Sequence, residues 1–273
     1  MISIIHIEIL DQPELFPYRT LRQPVEHFQK GMFVAEGEKV VHRLLESPLE
    51  IISALVTPEW LSIYQEYFAA RTESITLYVG DKKLLETIVG FNLHQGIMAL
   101  GKIPSPAQLE STLQQTSPPH FFVAVDGLTN SENLGVLVRN CAAFGVQALL
   151  VGETSSSPYL RRAVRNSMGT IFKLPIVHCQ HLASSLQRLH HSHSFSVIAA
   201  HPHEENKQIH QTLYGGDCCI VFGSEGSGIS AEVRSICDTA VAIPMQSNVD
   251  SLNVASASAV FLYEVWRQRN LRD

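Results

Sequence analysis

Apolar runs of strand length alternate with amphipathic helical segments along the whole chain. "IISALVT", "ITLYVG" and "QGIMALG" have the length and composition of strands, while "VAEGEKVVHRLLES" repeats apolar residues at helical spacing. Farther along, "FFVAVDG", "VQALLVG", "FSVIAA", "CCIVFG" and "AVAIP" are nearly continuous apolar runs. Such strands, separated by helices, are typical of a parallel sheet that helices cover on both faces. The pattern therefore predicts an α/β fold.

A stretch rich in Pro, Ser and Gln, "IPSPAQLESTLQQTSPP", divides this pattern into two parts. We place an N-terminal domain at residues 1–103, a linker at 104–119 and a C-terminal domain at 120–273, and both domains have an ordinary size. In the first domain, Pro58 suits the first turn of one helix and Asp81 suits the N-cap of the next. Basic residues cluster near the start, which fits either a solvated face or contact with RNA: Arg19, Arg22, Lys30, Lys39 and Arg43.

Ligands of parallel α/β sheets bind at the carboxyl ends of the strands, which directs attention to three loops of the second domain. The loop after Val125, "DGLTNSENLG", leads into a helix that Asn133 can cap and that Gly145 can end. Arg139 interrupts the apolar stretch "GVLVRNCAAFG" of that helix. Taken alone, this arginine fits an exposed position on the outer face of the helix.

The other two loops follow Phe222 and Ile243. "FGSEGSG" carries Glu225 among glycines, which let a backbone approach a ligand closely, although a simple tight turn is the alternative. Its spacing is neither the dinucleotide fingerprint nor a P-loop. "IPMQSNVDSLN" contains Ser251, a suitable N-cap for a final helix over 251–269. The apolar residues of that helix are expected to share one buried face: Leu252, Ala255, Ala259, Leu262 and Trp266.

The composition and net charge indicate what class of protein this is. The chain has 273 residues, is 45% hydrophobic and has a net charge of −6, which indicates a globular protein and disfavours one that coats nucleic acid non-specifically. The start of the chain resembles a strand, and no run of about 18 apolar residues occurs, so we expect a cytoplasmic protein without a membrane span. The histidine-rich stretches "HHSHSF" and "HPH" match no zinc spacing, so we expect surface histidines and no metal. Buried free thiols are expected for the cysteines: Cys141, Cys179, Cys218, Cys219 and Cys237.

A basic helical segment, "YLRRAVRNSMG", lies in the second half of the chain. At helical spacing its arginines share one face, and we expect them to contact backbone phosphates of RNA: Arg161, Arg162 and Arg165. A local basic patch of this kind is compatible with an acidic protein that binds RNA at one place.

Three segments, taken in order and spacing, resemble the three motifs of the SpoU/TrmH family. These are "NSENLGVLVRNCAAFGV", "VFGSEGSGIS" and "IPMQSNVDSLNVASASAVFLYE". The family comprises RNA ribose 2′-O-methyltransferases of the SPOUT superfamily, which use S-adenosylmethionine. "FVAEGEKVVHRLLE" and "HQGIMALGK" are similar to the N-terminal, L30e-like RNA-binding domain of the family. The resemblance implies a deep C-terminal trefoil knot, a homodimer with the site near its interface, and an RNA substrate.

The resemblance also implies the site residues. Residues expected to bind the cofactor, largely through backbone, are Phe222, Gly223, Ser224, Gly226, Ile243, Met245 and Leu252. Residues expected at the reacting centre are Asn133, Arg139, Glu225, Ser251 and Asn253. A guanidinium rarely gives up its proton, so we expect Arg139 to clamp a phosphate and orient the ribose hydroxyl. Glu225 is expected to pair with Arg139, and Asn133 to hold either Arg139 or the ribose. Ser251 and Asn253 are expected to bond the loop backbone and the hydroxyl.

Two positions depart from the family pattern, and the substrate is open. Ser247 stands where the family usually has Gly, and "NSEN" replaces the common "DPxN". We favour ribosomal RNA as the substrate, because an additional N-terminal domain suits a structured target, with transfer RNA as the alternative. A catalytically silent RNA-binding or cofactor-sensing homologue is a further alternative. A nucleotide-binding oxidoreductase is disfavoured because the dinucleotide fingerprint is absent.

Overall fold

The computed structural model describes residues 1–8, 12–20, 27, 29–90, 96–202, 207–246 and 248–271. The chain forms two compact units. The first contains Met1–Pro104 and Tyr159–Lys173, and the second contains Ser105–Pro158 and Leu174–Asp273. Residues 159–173, which the sequence pattern placed in the second domain, thus group with the first unit.

The first unit is a mixed sheet with helices. Its described strands are β1 (Ile2–His6), β2 (Met32–Glu36), β3 (Ile51–Val56), β4 (Ile75–Val79) and β5 (Ile97–Lys102). They lie in the order β1-β4-β3-β5-β2, with β4 parallel to both neighbours and β5 antiparallel to both of its own. Its described helices are α1 (Phe16–Arg19), α2 (Glu38–Leu45), α3 (Pro58–Ala69), α4 (Lys82–Val89) and, from the later stretch, α7 (Arg161–Asn166).

Local sequence signals decide where two of these helices begin. Pro58 occupies the first turn of α3, and the Thr57 hydroxyl accepts from the Trp60 amide. The Asp81 carboxylate accepts from the Leu84 amide at 2.7 Å and begins α4. Both predicted positions, Pro58 and Asp81, are therefore confirmed. A left-handed Gly90 ends α4, a conformation that glycine adopts without strain.

The second unit is the predicted parallel α/β layer structure. Its described strands are β6 (Phe121–Asp126), β7 (Ala148–Val151), β8 (Ile176–His178), β9 (Ser196–Ala200), β10 (Cys218–Gly223) and β11 (Thr239–Val241). They lie in the order β11-β9-β10-β6-β7-β8, and each neighbouring pair is parallel. The helices described in this unit are α5 (Leu109–Gln115), α6 (Ser131–Ala143), α8 (Leu182–His193), α9 (Ala231–Ile236) and α10 (Val254–Asn270). All five cysteines of the chain are buried and free, as predicted.

Two predicted helix starts in this unit are wrong. Helix α6 is capped by Asn130, whose side chain accepts from the amides of Glu132 and Asn133, so Asn133 lies inside the helix. Helix α10 is capped by Asn253 and not by Ser251, which precedes the cap in the loop. As predicted, Gly145 lies where α6 ends: it follows the C-cap residue Phe144 and has a positive φ of 75°.

The buried face of α10 also differs from the predicted one. It consists of Val254, Ala255, Ser258, Phe261, Leu262 and Val265. Leu252 precedes the helix and is 39% exposed, so it belongs to the loop surface and not to the core. Within the described part of the chain, no helix is long and apolar enough to cross a membrane.

Candidate active site

A cavity of about 670 Å³ lies at the carboxyl ends of the strands of the second unit. Segments that follow β9, β10 and β11 contribute to its wall, and the start of helix α6 after β6 contributes Asn130 and Asn133. This is the edge at which ligands of parallel α/β sheets bind. The residues expected to bind the cofactor all line it: Phe222, Gly223, Ser224, Gly226, Ile243, Met245 and Leu252. Ser251 lines the cavity as well, whereas Ser247 lies outside the described residues.

The glycine-rich loop forms a tight reversal above the end of β10. The backbones of Ser224 and Gly228 bond each other at 3.0 and 3.1 Å, and Gly228 has a φ of 69°. A Cβ atom at Gly223 would lie 2.2 Å from the carbonyl carbon of Gly228, so no larger residue fits there. A Cβ at Gly226 would meet no atom within 4 Å. The loop therefore presents mainly backbone to the cavity.

Three polar side chains of the cavity wall form one hydrogen-bonded cluster. Asn133 donates from Nδ2 to Oε1 of Glu225. Asn253 donates from Nδ2 to Oδ1 of Asn133 at 3.2 Å and to Oε1 of Glu225 at 3.4 Å. The other end of the Asn253 amide accepts from the Ala255 amide at 2.8 Å. Side chains from all three predicted loops thus meet, and amides hold the Glu225 carboxylate.

Asn140, which the sequence reasoning missed, joins the two helices that carry this cluster. Its Nδ2 donates to the Ala255 carbonyl at 2.8 Å and to the Ser258 hydroxyl at 2.9 Å. Because Asn140 lies on α6 and its partners lie on α10, these bonds fix Asn133 relative to Asn253. The available signal was a polar residue in the apolar stretch "VLVRNCAAFG", and it stood beside the more conspicuous arginine.

Arg139 lies elsewhere on α6. It is exposed, it does not line the cavity, and among the described residues it makes no hydrogen bond or ion pair. The expected pairing of Glu225 with Arg139 is therefore absent within the chain, and Asn133 bonds Glu225 instead of holding Arg139. The reason is helical geometry: positions 133 and 139 are six residues apart, which places their side chains about 120° apart around the helix.

The expected RNA-binding arginines lie in the first unit, and two of them pair with the same carboxylate. Arg161 contacts Oε2 of Glu36 through Nε at 3.0 Å and Nη2 at 2.7 Å. The Glu36 side chain is only 8% exposed. Arg165 lies 3.4 Å from the other carboxylate oxygen and is half exposed, and Arg162 is exposed. The three side chains therefore do not form one solvent-facing set.

Polar groups that could hold a metal ion do not cluster in the described ranges: no group of three or more His, Cys, Asp or Glu side chains has that arrangement.

His201 and Pro202 line the cavity, although the sequence reasoning treated "HPH" as surface. Their position directly after β9 was the signal that could have identified them.

Comparison with known proteins identifies the family. The SpoU rRNA Methylase family matches residues 120–263. An uncharacterized tRNA/rRNA methyltransferase of Mycobacterium tuberculosis is 30% identical over 262 residues, which cover 93% of this chain and 88% of the relative. The 23S rRNA (guanosine-2′-O-)-methyltransferase RlmB of Pasteurella multocida is 33% identical over 198 residues, 71% of this chain and 80% of that one.

Solved structures agree in fold. An RNA 2′-O ribose methyltransferase superposes with a TM-score of 0.78 and 27% identity, covering 98% of this chain and all of the other. The SpoU methyltransferase AviRb from Streptomyces viridochromogenes has the same fold, with a TM-score of 0.80 at 22% identity and coverage of 94% of this chain and 98% of that one. The matched family and the full-length relative together show that this chain belongs to the SpoU rRNA methylase family.

Proposed function

We propose that this protein transfers a methyl group from S-adenosylmethionine to a ribose 2′-hydroxyl of RNA, with ribosomal RNA as the favoured substrate. The observation that supports it most directly is the meeting of Asn133, Glu225 and Asn253 on the wall of a cavity at the carboxyl edge of the sheet. Relatives named as 23S rRNA 2′-O-methyltransferases support the choice of RNA.

The cavity fits the cofactor in size and chemistry. Its volume is within the range of about 300–1,000 Å³ that small-molecule sites usually have. Phe222, Ile243, Met245 and Leu252 offer apolar surface for an adenosine group, and the loop around Gly226 offers backbone polar groups. When bound, S-adenosylmethionine supplies a methyl group that the positive charge on its sulfur makes reactive. Glu225 places a negative charge on the cavity wall, which suits a cationic ligand.

The chain's own residues position the nucleophile. The amides of Asn133 and Asn253 keep the Glu225 carboxylate in place and offer hydrogen bonds where a ribose hydroxyl enters. Arg139 binds the neighbouring phosphate and orients the hydroxyl, because a guanidinium retains its proton and forms paired bonds to phosphate oxygens. Orientation of this kind supplies much of the rate when the electrophile is already reactive.

Arg139 reaches a reacting centre only in a homodimer under this proposal, since it lies outside the cavity of its own protomer. The adjoining surface carries apolar groups that a partner would cover. Val260 and Tyr263 on α10 are 40% and 46% exposed, and Tyr263 contacts Phe144 at the end of α6 with ring centroids 6.1 Å apart. A second copy packed there would bring its own Arg139 toward this cavity.

Other features follow from family membership and belong to the same proposal. They are the trefoil knot in the C-terminal part, the RNA-binding role of residues 1–103, the role of Ser251 in bonding the loop, and location in the cytoplasm. Arg162 and Arg165 are proposed to contact RNA phosphates, because their side chains are exposed. Arg161 is left out of that set, since its side chain is only 18% exposed and lies 2.7 Å from Glu36.

Methyl transfer to isolated RNA tests the proposal. Purified protein would be incubated with radiolabelled S-adenosylmethionine and either unmodified ribosomal RNA or unmodified transfer RNA. We expect label in ribosomal RNA. The labelled linkage should resist alkali because its 2′-oxygen is methylated. Label in transfer RNA alone would support the alternative substrate. Cofactor binding without transfer to either RNA would identify a silent homologue, and failure to bind the cofactor would overturn the proposal.

A further inference from the structure

His201 is one of two ionisable side chains on the described wall of the cavity, the other being Glu225. It follows directly after β9, and its backbone amide donates to the Val241 carbonyl at 3.0 Å, which holds the position against β11. Neither lysine nor arginine is among the described lining residues. The imidazole of His201 is therefore the one basic side chain among the described residues of this wall.

Strand register separates His201 from the strand that leads to the polar cluster. Ala199 is paired with Val221, so His201 stands level with Gly223, which is itself paired with Asp126 on β6. β10 lies between β9 and β6, so His201 is two strand spacings, roughly 10 Å, from the strand that leads to Asn133. The cavity thus has a carboxylate and amides toward β6 and an imidazole toward β9.

We infer that His201 recognises the carboxylate of the cofactor's amino-acid part. This inference rests on the proposed function. S-Adenosylmethionine is cationic at its sulfur and its α-amino group and anionic at its carboxylate, and the wall offers both kinds of partner, the Glu225 carboxylate and the His201 imidazole. An imidazole N–H donating to a carboxylate forms a charge-assisted hydrogen bond, which is stronger than a neutral one.

Calorimetric titration with two ligands tests the assignment. S-Adenosylmethionine and its decarboxylated analogue, which lacks only the carboxylate, would each be titrated into the wild-type protein and into His201→Ala. The substitution is expected to weaken S-adenosylmethionine about tenfold, the value of one charge-assisted bond, and to change the analogue by no more than roughly twofold. His201→Gln, which keeps an N–H donor, is expected to give an intermediate loss for S-adenosylmethionine alone.

Equal weakening of both ligands, or of neither, would overturn the assignment. His191→Ala, on the exposed side of α8, is the matched control and is expected to bind both ligands as the wild type does. Thermal unfolding of each variant identifies a folding defect, and if His201→Ala is unfolded the comparison is made with His201→Gln. Absence of S-adenosylmethionine binding by the wild-type protein would instead refute the proposed function, so the two failures are distinguishable.

Discussion

Asn253 donates from Nδ2 to Oδ1 of Asn133 across 3.2 Å, while its own Oδ1 accepts from the Ala255 amide at 2.8 Å. One side-chain amide therefore begins helix α10 and also joins the first and third loops of the site. Substitution can separate these two roles of the Asn253 amide, because a carboxylate caps a helix as well as an amide does but cannot donate a hydrogen bond.

We predict that Asn253→Asp retains stability and loses activity. The cap to Ala255 survives, so the melting temperature should change by no more than a few degrees. The donor to Asn133 is lost and a second negative charge faces Glu225, so methyl transfer should fall at least about tenfold. Asp81→Asn makes the reverse exchange at the cap of α4, is not among the residues that line the cavity, and should leave both quantities unchanged. An active Asn253→Asp enzyme would show that the amide serves only as a cap.

Arg139→Ala should abolish transfer without affecting cofactor binding. The side chain lies outside the cavity, so the dissociation constant for S-adenosylmethionine should stay the same. Loss of a phosphate clamp and hydroxyl orienter should lower the transfer rate at saturating cofactor about a hundredfold. Arg188→Ala, which removes an exposed ion pair to Glu110, is the control and should be fully active. Normal transfer by Arg139→Ala would refute its assigned role.

A mixed dimer tests whether Arg139 acts in the partner's cavity. In a heterodimer of Arg139→Ala and Asn253→Asp protomers, one cavity would have its own Asn253 and receive Arg139 from the partner. We therefore expect the mixture to transfer methyl groups faster than either parent does. If Arg139 served its own protomer, both cavities would be defective and mixing would restore nothing.

Two arginines of α7 should separate, with Arg161 as a structural residue and Arg162 as an RNA-binding residue. Arg161→Ala leaves the Glu36 carboxylate, 8% exposed, without its closest partner, so the protein should be destabilised by about 2–4 kcal/mol in urea unfolding. Arg162→Ala should leave stability unchanged, weaken RNA binding and reduce the salt slope by about one. The reverse result, with Arg161→Ala stable and weak in RNA binding, would restore the interpretation based on helical spacing alone.

The cysteine thiols should be unreactive while the protein is folded. Burial raises the pKa of Cys218 and of Cys237 to about 11, and it raises the pKa of Cys141, Cys179 and Cys219 as well. Since the thiolate is the reactive form, little of it exists at pH 8. An aromatic disulfide reagent at that pH should react slowly with the native protein and rapidly with all five thiols in denaturant. Rapid reaction of a native thiol would show that the segment around it opens.

Several features of this protein were determined by sequence alone because they depend on neighbours along the chain. Apolar runs and helical spacing predicted the parallel α/β layer, and the rule for strand ends selected the three loops. All the residues expected to bind the cofactor line the cavity, because each lies at or just beyond the end of a strand or just before a helix. A loop that follows a strand and precedes a helix lies at the carboxyl edge of the sheet, so its position depends on the elements next to it in the sequence.

The tertiary structure decided what depends on distant partners. "NSEN" and "SLN" each offer more than one capping side chain within a few positions, and the final geometry selected Asn130 and Asn253. Helical spacing alone predicts that Arg161 is a solvent-facing phosphate ligand. In the fold, however, it lies beside Glu36, 125 residues earlier in the chain. Glu225 and Asn133 are 92 residues apart, and they bond each other only because the strands that precede them, β10 and β6, are neighbours in the sheet. Local periodicity specifies which face of an element is apolar, but the partner of a polar side chain is set by packing between elements far apart in sequence.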